Sequence, residues 1–276
     1  MKPLRSMATR PVLTLAVLWV LLIAVLALLA PMLGLPDPKQ FDSSATAQGP
    51  SLSHPFGTDP VGRDVFSGVI WGARVSLTVG AVSVAGGLVI GGLIGLTAGF
   101  FRGRVETVLM AFTDVMLAVP ALILVVFIVA LRGQSLANVL LAVLVVSVPA
   151  IARVSRAQTL VATQHDYVTA ARAQGATNLR IMRREVLPNV IPPMLSFSFV
   201  AVAIVIAAEG GLAFLGLSVP SPAVTWGGLI NAGRGDLDTT PQVALMPAAT
   251  MFLTLLAFNL IGDALRRRFD VRESGL

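Results

Sequence analysis

The sequence contains no cysteine, two histidines and two lysines, and each scarcity excludes a class of chemistry. Without cysteine no disulfide framework can form, and His54 and His165 alone do not make a Cys/His metal site. Lys2 and Lys39 do not follow a glycine-rich loop, so the chain has no P-loop with which to hydrolyse ATP. Since it also lacks a nucleophile elbow and a catalytic triad, we expect no enzyme activity and no cofactor bound by this chain.

Charged residues are scarce as well. They make up 12% of the 276 residues, whereas 55% are hydrophobic and the mean hydropathy is +0.85. A soluble domain carries about twice that share of charge, so too little polar surface remains to cover a water-soluble globule. The net charge of +6 does not indicate a nucleic-acid partner, because the arginines flank apolar runs instead of forming a basic soluble domain.

Six apolar stretches are long enough to form transmembrane helices, since about 20 apolar residues cross the hydrocarbon core of a bilayer. They cover residues 12–32, 77–101, 105–131, 136–152, 191–215 and 243–261. The sequence therefore predicts an all-α polytopic inner-membrane protein with six transmembrane helices. A cleavable signal peptide is the alternative for the first stretch, although 21 apolar residues are long for one.

The distribution of basic residues predicts the orientation, because cytoplasmic segments carry the excess of lysine and arginine. With the N-terminus inside, 15 of the 20 basic residues fall in cytoplasmic segments and the other five lie outside. We therefore expect both termini in the cytoplasm. The predicted order is a tail, a first helix, an external segment, a core of five further helices and a second tail, over residues 1–11, 12–32, 33–75, 76–263 and 264–276.

Several glycines and prolines lie within the predicted spans and indicate how these helices pack and bend. Four glycines of the second span recur every four residues and so share one helix face: Gly87, Gly91, Gly95 and Gly99. We interpret them as a packing seam where another helix backbone approaches closely. Three prolines inside other spans remove backbone donors and predict local kinks, at Pro120, Pro149 and Pro247.

Two carboxylates lie within apolar stretches, where a charge by default faces the bundle interior or an aqueous cavity. Asp114 follows Arg104 by about two to three helical turns, so it either pairs with a basic residue or lines a translocation path. Glu209 begins the run EGGLAFLGLSVPSPAVTWGG, whose glycines and prolines predict a broken or re-entrant element. For Glu209 the alternatives are a structural hydrogen-bond anchor and the lining of that path.

A polar stretch over residues 153–189 separates the fourth and fifth spans and contains two amphipathic helix patterns that meet at Gly175. The first places Tyr167, Ala170, Ala171 and Gln174 on one face. The second has a stripe of Leu179, Met182 and Val186, and we expect Pro188 to end it. Such a knob suits the groove of a partner protein, and the alternative is a helix pair lying flat on anionic lipid.

Three stretches in this order resemble a known family. DYVTAARAQGATNLRIMRREVLPNVIPP, residues 166–193, resembles the EAA loop of permease subunits in bacterial ABC importers. HPFGTDPVGRDVFSGVIWGARVSLTVG, residues 54–80, and AEGGLAFLGLSVPSPAVTWG, residues 208–227, resemble segments of the dipeptide/oligopeptide/nickel family. Within that family the chain is most similar to the second permease subunit, of the dipeptide permease C type. We call residues 154–190 the EAA loop.

The resemblance implies a type I ABC importer permease fold, with residues 76–263 as the permease core. It also implies that the chain forms half of a path for di- and oligopeptides, although glutathione, nickel chelates and haem are conceivable cargo for relatives. The implied partners are a homologous permease subunit, two ATPase domains that use ATP and Mg, an extracytoplasmic binding protein and membrane lipid.

The resemblance further implies that residues 166–187 couple the permease to the ATPase. The positions matched for this role, with the helix-ending pair at 187–188, are Tyr167, Thr169, Ala170, Ala171, Gly175, Ala176, Leu187 and Pro188. Thr169 stands where the family has the glutamate of the EAA motif, which puts one expected ATPase contact in doubt. A secondary transporter would need paired intramembrane charges and repeat symmetry, and we find neither in the sequence; a membrane scaffold without transport is the remaining alternative.

Overall fold

The computed structural model of the chain describes residues 3–38, 40, 42–220 and 223–273. Lys2, Lys39 and residues 274–276 of the predicted tail lie outside the described residues. The helices, in chain order, are α1 (Pro3–Leu29), α2 (Val65–Phe101), α3 (Gly103–Ala118), α4 (Ala121–Arg132), α5 (Leu136–Ala162), α6 (Asp166–Ala173), α7 (Asn178–Ile181), α8 (Leu187–Phe214), α9 (Trp226–Gly233) and α10 (Gln242–Glu273). A 3-10 turn, Ala30–Met32, follows α1, and a π-helical turn, Met182–Val186, joins α7 to α8. The predicted all-α fold is therefore confirmed.

Five described helices are long and apolar enough to cross a membrane, and the pair α3 and α4 qualifies together as a sixth span. This pair is bent by 83° at Val119 and Pro120. Proline lacks the backbone N–H and disfavours helical geometry in the residue before it, and Val119 is accordingly extended, with ψ 126°. The predicted kink at Pro120 is thus a break, whereas α5 and α10 continue through Pro149 and Pro247.

Four helices extend well beyond the predicted spans, and α1 already begins at Pro3. Helix α2 begins at Val65, where the Asp64 carboxylate caps it by accepting from the Ser67 backbone N–H at 2.6 Å. Helices α5 and α10 continue to Ala162 and Glu273. Parts of the predicted external segment, of the EAA loop and of the C-terminal tail are therefore helical, because hydropathy marks only the length of helix that lies in hydrocarbon.

The glycine seam of α2 packs against α5, as the spacing predicts. A Cβ atom at Gly91 would lie 2.6 Å from the Val148 carbonyl oxygen, and one at Gly95 would lie 2.2 Å from that of Ala152. These distances are shorter than any van der Waals contact, so the two backbones meet at a separation that only glycine permits. The seam holds together the two helices that flank the broken span.

A Gly95→Ala variant is expected to lower the free energy of unfolding by about 2 kcal/mol, because the added methyl group forces α2 away from α5. Gly92 lies in the same helix, and a Cβ atom there meets nothing within 4 Å. Gly92→Ala is therefore the matched control and is expected to keep or raise stability, since alanine favours helix by about 1 kcal/mol. Thermal unfolding midpoints in detergent measure both, and equal shifts for the two variants would contradict the seam.

The fifth span does not begin where the sequence predicts. We expected Pro188 to end a short loop helix, but helical structure runs without a break from Asn178 to Phe214. The π-helical turn explains why: the Leu187 N–H reaches the Met182 carbonyl, five residues back, which widens the turn before the proline. Asn189 then donates from its side chain to the Glu185 carbonyl at 2.6 Å. The EAA loop is thus joined rigidly to the span.

Candidate functional site: the EAA loop and the opposite end of the bundle

The EAA loop turns on Gly175. Its φ of +77° lies in the left-handed region, which only glycine enters at little cost, and the turn ends helix α6. The Thr177 hydroxyl then caps the next helix by accepting from the Arg180 backbone N–H at 3.4 Å. The predicted break between two helices at Gly175 is confirmed, although the second helix is the beginning of the fifth span.

Three apolar side chains anchor the loop to the bundle. Val168, Ile181 and Val186 are fully buried and pack in one cluster with Leu96 and Ile151 of α2 and α5. The predicted stripe is therefore only partly right, because Leu179 is 57% exposed whereas Ile181, which the sequence analysis did not name, is buried. The periodicity of Ile181, Val186 and Val190 becomes visible only when the second loop helix and the span are one helix.

The residues predicted for coupling fall into two groups. Tyr167, Thr169, Ala170 and Gly175 are exposed at the tip of the loop, with the Tyr167 ring stacked on that of His165 at a centroid distance of 5.4 Å. The other group is half-buried or continues into the span: Ala171, Ala176, Leu187 and Pro188. The first group is therefore accessible, whereas Ala171, Ala176 and Leu187 are partly buried and Pro188 is an exposed residue of the span.

Two ion pairs fasten helix α3 to α5 next to this loop. The Arg153 guanidinium lies 2.7 Å from the Asp114 carboxylate, and Arg156 donates through Nε to Glu106 Oε1 at 2.6 Å. Asp114 was predicted either to pair with a basic residue or to line a translocation path. Its ion pair with Arg153 agrees with the first of these two roles. The Glu106–Arg156 pair is not apparent from the sequence, because nothing in the spacing along the chain shows that α3 packs across α5.

At the opposite end of the bundle Glu209 anchors a re-entrant element. Its side chain is 1% exposed; Oε1 accepts from the Ser218 hydroxyl and Oε2 from that of Ser76, the latter at 3.4 Å. The Ser76 oxygen in turn accepts from the Trp226 backbone N–H at 3.2 Å, and the Trp226 indole donates to the Val69 carbonyl at 2.9 Å. These bonds tie α9 to α2 and α8.

The predicted break after Glu209 is confirmed by the backbone. Helix α8 ends at Phe214, Gly216 has a φ of +70°, and the chain returns to the bundle as helix α9. Within this chain Glu209 is a hydrogen-bond anchor, in agreement with one of its two predicted roles.

A cavity of about 690 Å³ opens beside this anchor and joins two of the motif stretches. Residues 54–80 contribute Asp59, Arg63 and Asp64 to its wall, and residues 208–227 contribute Ser218 and Thr225. The segment that carries Asp59 and Arg63 is held by a hydrogen bond of 2.8 Å between His54 Nδ1 and Asp64 Oδ2. The described part of the chain contains no group of three or more His, Asp or Glu side chains suited to a metal ion.

Comparison with known sequences places the chain among transport proteins. Residues 91–274 match the family model described as binding-protein-dependent transport system inner membrane component. The glutathione transport system permease protein GsiD of Pectobacterium atrosepticum is 39% identical over 254 residues, which cover 92% of this chain and 84% of that protein. GsiD of Escherichia coli O6:K15:H31 is 40% identical over 261 residues, covering 94% of this chain and 86% of that protein.

Comparison with solved structures concerns the fold alone, because the sequence identities are low. An inward-facing structure of the MetNI methionine ABC transporter aligns with a TM-score of 0.61 at 20% identity, covering 72% of this chain and 94% of that chain. A crystal structure of an amino acid ABC transporter with histidines aligns with a TM-score of 0.58 at 18% identity, covering 74% and 94%. The predicted type I importer permease fold is the one these alignments support.

Proposed function

The chain belongs to the family of binding-protein-dependent transport system inner membrane components, and on that premise we propose that it imports short peptides, including glutathione-like ones. It is a multi-pass inner-membrane permease subunit of an ABC importer. The proposed substrate class rests on the family resemblance and on the glutathione permeases that are about 40% identical to this chain. One half of the path is formed by this chain and the other by a homologous permease subunit.

The observation that carries the coupling proposal is the rigid connection between the exposed loop tip and the fifth span. Tyr167, Thr169 and Gly175 are accessible, and the helix that follows them runs unbroken from Asn178 to Phe214. Because a helix rises about 1.5 Å per residue, these 37 residues span about 55 Å. A displacement of the tip by an ATPase would therefore reach the end of the span at Glu209.

The proposed partners supply what this chain lacks. Two ATPase domains bind ATP and Mg, and closure of the ATPase pair favours an outward-facing arrangement of the permease pair. Hydrolysis then restores the inward-facing arrangement. An extracytoplasmic binding protein delivers the peptide at the end of the bundle that carries the 690 Å³ cavity, where Arg63 offers a cation to a peptide carboxylate. This assignment places the EAA loop and both termini in the cytoplasm.

Reconstitution tests the proposal directly. The chain is co-expressed with its neighbouring permease, ATPase and binding-protein subunits, and proteoliposomes are assayed for uptake of radiolabelled glutathione and of an unmodified dipeptide. ATP-dependent uptake of either is the expected result, whereas uptake driven by an ion gradient without ATP would indicate a secondary transporter. Failure of both peptides, with ATP present, would contradict the substrate class.

The same complex tests the proposed contact and orientation. Because the chain contains no cysteine, Gln164→Cys introduces a single thiol at an exposed position beside helix α6. A bifunctional thiol-to-amine reagent is expected to join it to an ATPase chain. A crosslink to the binding protein instead would place the loop on the outer face.

A further inference from the structure

Two adjacent surface features lie where the EAA loop enters the fifth span. The first is a basic concavity of about 410 Å³, whose wall includes Arg180, Arg183 and Arg184. The second is an apolar groove of about 290 Å³ between α2 and α8, whose wall includes Leu93, Leu187, Ile191 and Leu195. Neither takes part in the ion pairs or the Glu209 network, and the groove lies against the buried cluster that anchors the loop, with which it shares Leu96.

The apolar groove has no free polar group. Among the described residues that line it, Ser155 alone has a polar side chain, and its hydroxyl donates to the Gly92 carbonyl at 2.8 Å. Leu93, Ile191 and Leu195 present 59%, 43% and 47% of their surface. A surface of this composition within a membrane span suits a hydrocarbon chain and offers nothing to a peptide backbone.

The three arginines are unpaired within the described part of the chain. Their guanidinium groups form neither an ion pair nor a hydrogen bond there, in contrast to Arg153 and Arg156. Three positive charges therefore lie within five consecutive residues, and the half-buried Glu185 follows them with one negative charge before the apolar part of the helix begins. Such a cluster attracts an anion to this shallow part of the surface.

The charged and apolar features follow one another along one helix. Leu187, Ile191 and Leu195 recur every four residues and share one face, and Arg180 and Arg184 precede them across the π-helical turn Met182–Val186. Along the helix axis Arg184 precedes Leu187 by about 4.5 Å and Leu195 by about 16 Å. This order, from charge to hydrocarbon surface, matches that of a phospholipid standing beside a span.

We infer that this face binds an anionic phospholipid, with its phosphate between Arg180, Arg183 and Arg184 and an acyl chain in the groove. The site takes one lipid of the leaflet in which the EAA loop lies. The acidic surface of an ATPase subunit fits the arginines alone, but it leaves the groove below them unfilled, since the groove follows the span into the membrane. Basic pockets between transmembrane helices are a known means of binding such headgroups.

The headgroup contact is tested with the double variant Arg183→Gln/Arg184→Gln in the purified complex. Native mass spectrometry measures retention of dioleoyl phosphatidylglycerol against dioleoyl phosphatidylcholine. The variant is expected to bind phosphatidylglycerol about 30-fold more weakly and phosphatidylcholine unchanged. Arg104→Gln/Arg267→Gln removes two exposed arginines outside the concavity and is expected to bind like the unaltered chain.

The groove is tested with Gly92→Leu. A Cβ atom at Gly92 meets nothing within 4 Å, so leucine fills the groove without displacing the protein. We expect phosphatidylglycerol retention to fall at least tenfold. Gly211→Leu is the matched control, because Gly211 is an exposed helical glycine with equally open surroundings outside the groove.

Three results would overturn the inference. Equal phosphatidylglycerol retention in all variants would show that no lipid site exists. Loss of the ATPase chains from the arginine variant, with lipid retention unchanged, would assign the arginines to the ATPase contact. Dissociation of the second permease subunit from Gly92→Leu, again with lipid unchanged, would make the groove a subunit interface. None of these results depends on which peptide the complex transports.

Discussion

A Gly175→Arg variant is expected to insert and assemble normally but to lose at least nine tenths of ATP-dependent peptide uptake. Gly175 has a φ of +77°, and a Cβ atom there meets nothing within 4 Å. Arginine therefore costs about 1–2 kcal/mol of backbone strain, far less than the stability of a folded domain. Its side chain projects from the tip of the EAA loop, where the ATPase is proposed to dock.

Uptake and binding-protein-stimulated ATPase activity in proteoliposomes measure this effect. Gly175→Ala introduces the same strain without the bulk and is expected to retain most of the uptake. Gly34→Arg is the control for position, because Gly34 also follows a short helix with a positive φ, of +62°, in open surroundings. Normal uptake by Gly175→Arg, or equal losses at both glycines, would contradict coupling through this loop.

A Glu209→Ala variant is expected to lower the free energy of unfolding by about 2–4 kcal/mol. The change removes the acceptor for the Ser76 and Ser218 hydroxyls and leaves a cavity where the carboxylate is 1% exposed. Because Ser76 also accepts from the Trp226 backbone, the loss loosens the attachment of α9 to α2. Thermal or denaturant unfolding midpoints of the purified chain in detergent measure the change.

Glu209→Gln removes the carboxylate but keeps a side chain that can still accept a hydrogen bond. It keeps the size and one acceptor oxygen, so we expect less than half of the destabilisation caused by alanine. Asp114→Ala is the matched carboxylate control, because the Asp114 side chain is 57% exposed and its removal leaves no buried cavity, so we expect a smaller loss than at Glu209. A loss at Asp114 as large as that at Glu209 would show that burial does not explain the effect.

Much of the fold follows from residue composition and spacing. Apolar stretches identified the spans, since hydrocarbon accepts only helices with satisfied backbones. The four-residue spacing of Gly91 and Gly95 predicted a close helix contact, although it did not identify α5 as the partner. The motif around Gly175 predicted the break in the EAA loop, because a positive φ is a local property of one residue.

The predictions that failed used local sequence rules at positions where contacts between distant parts of the chain determine the structure. Pro188 ends a helix by local rules, but the π-helical turn at Met182–Val186 lets the helix continue. The buried Ile181 was missed because the loop helix was treated separately from the span. The cavity was also inaccessible to sequence reasoning, since it forms between segments about 150 residues apart, around Arg63 and Ser218.

The sequence by itself determined that six apolar stretches lie in a membrane and that a loop turns at Gly175. The spans follow from the apolar bilayer that surrounds them, and the turn follows from the backbone geometry that glycine permits. Only the tertiary structure decided that Glu209 is an anchor, that Asp114 pairs with Arg153, and that the loop continues rigidly into the fifth span. These features depend on contacts between residues distant along the chain, or on a turn that the surrounding packing stabilises, and neither is encoded in local spacing.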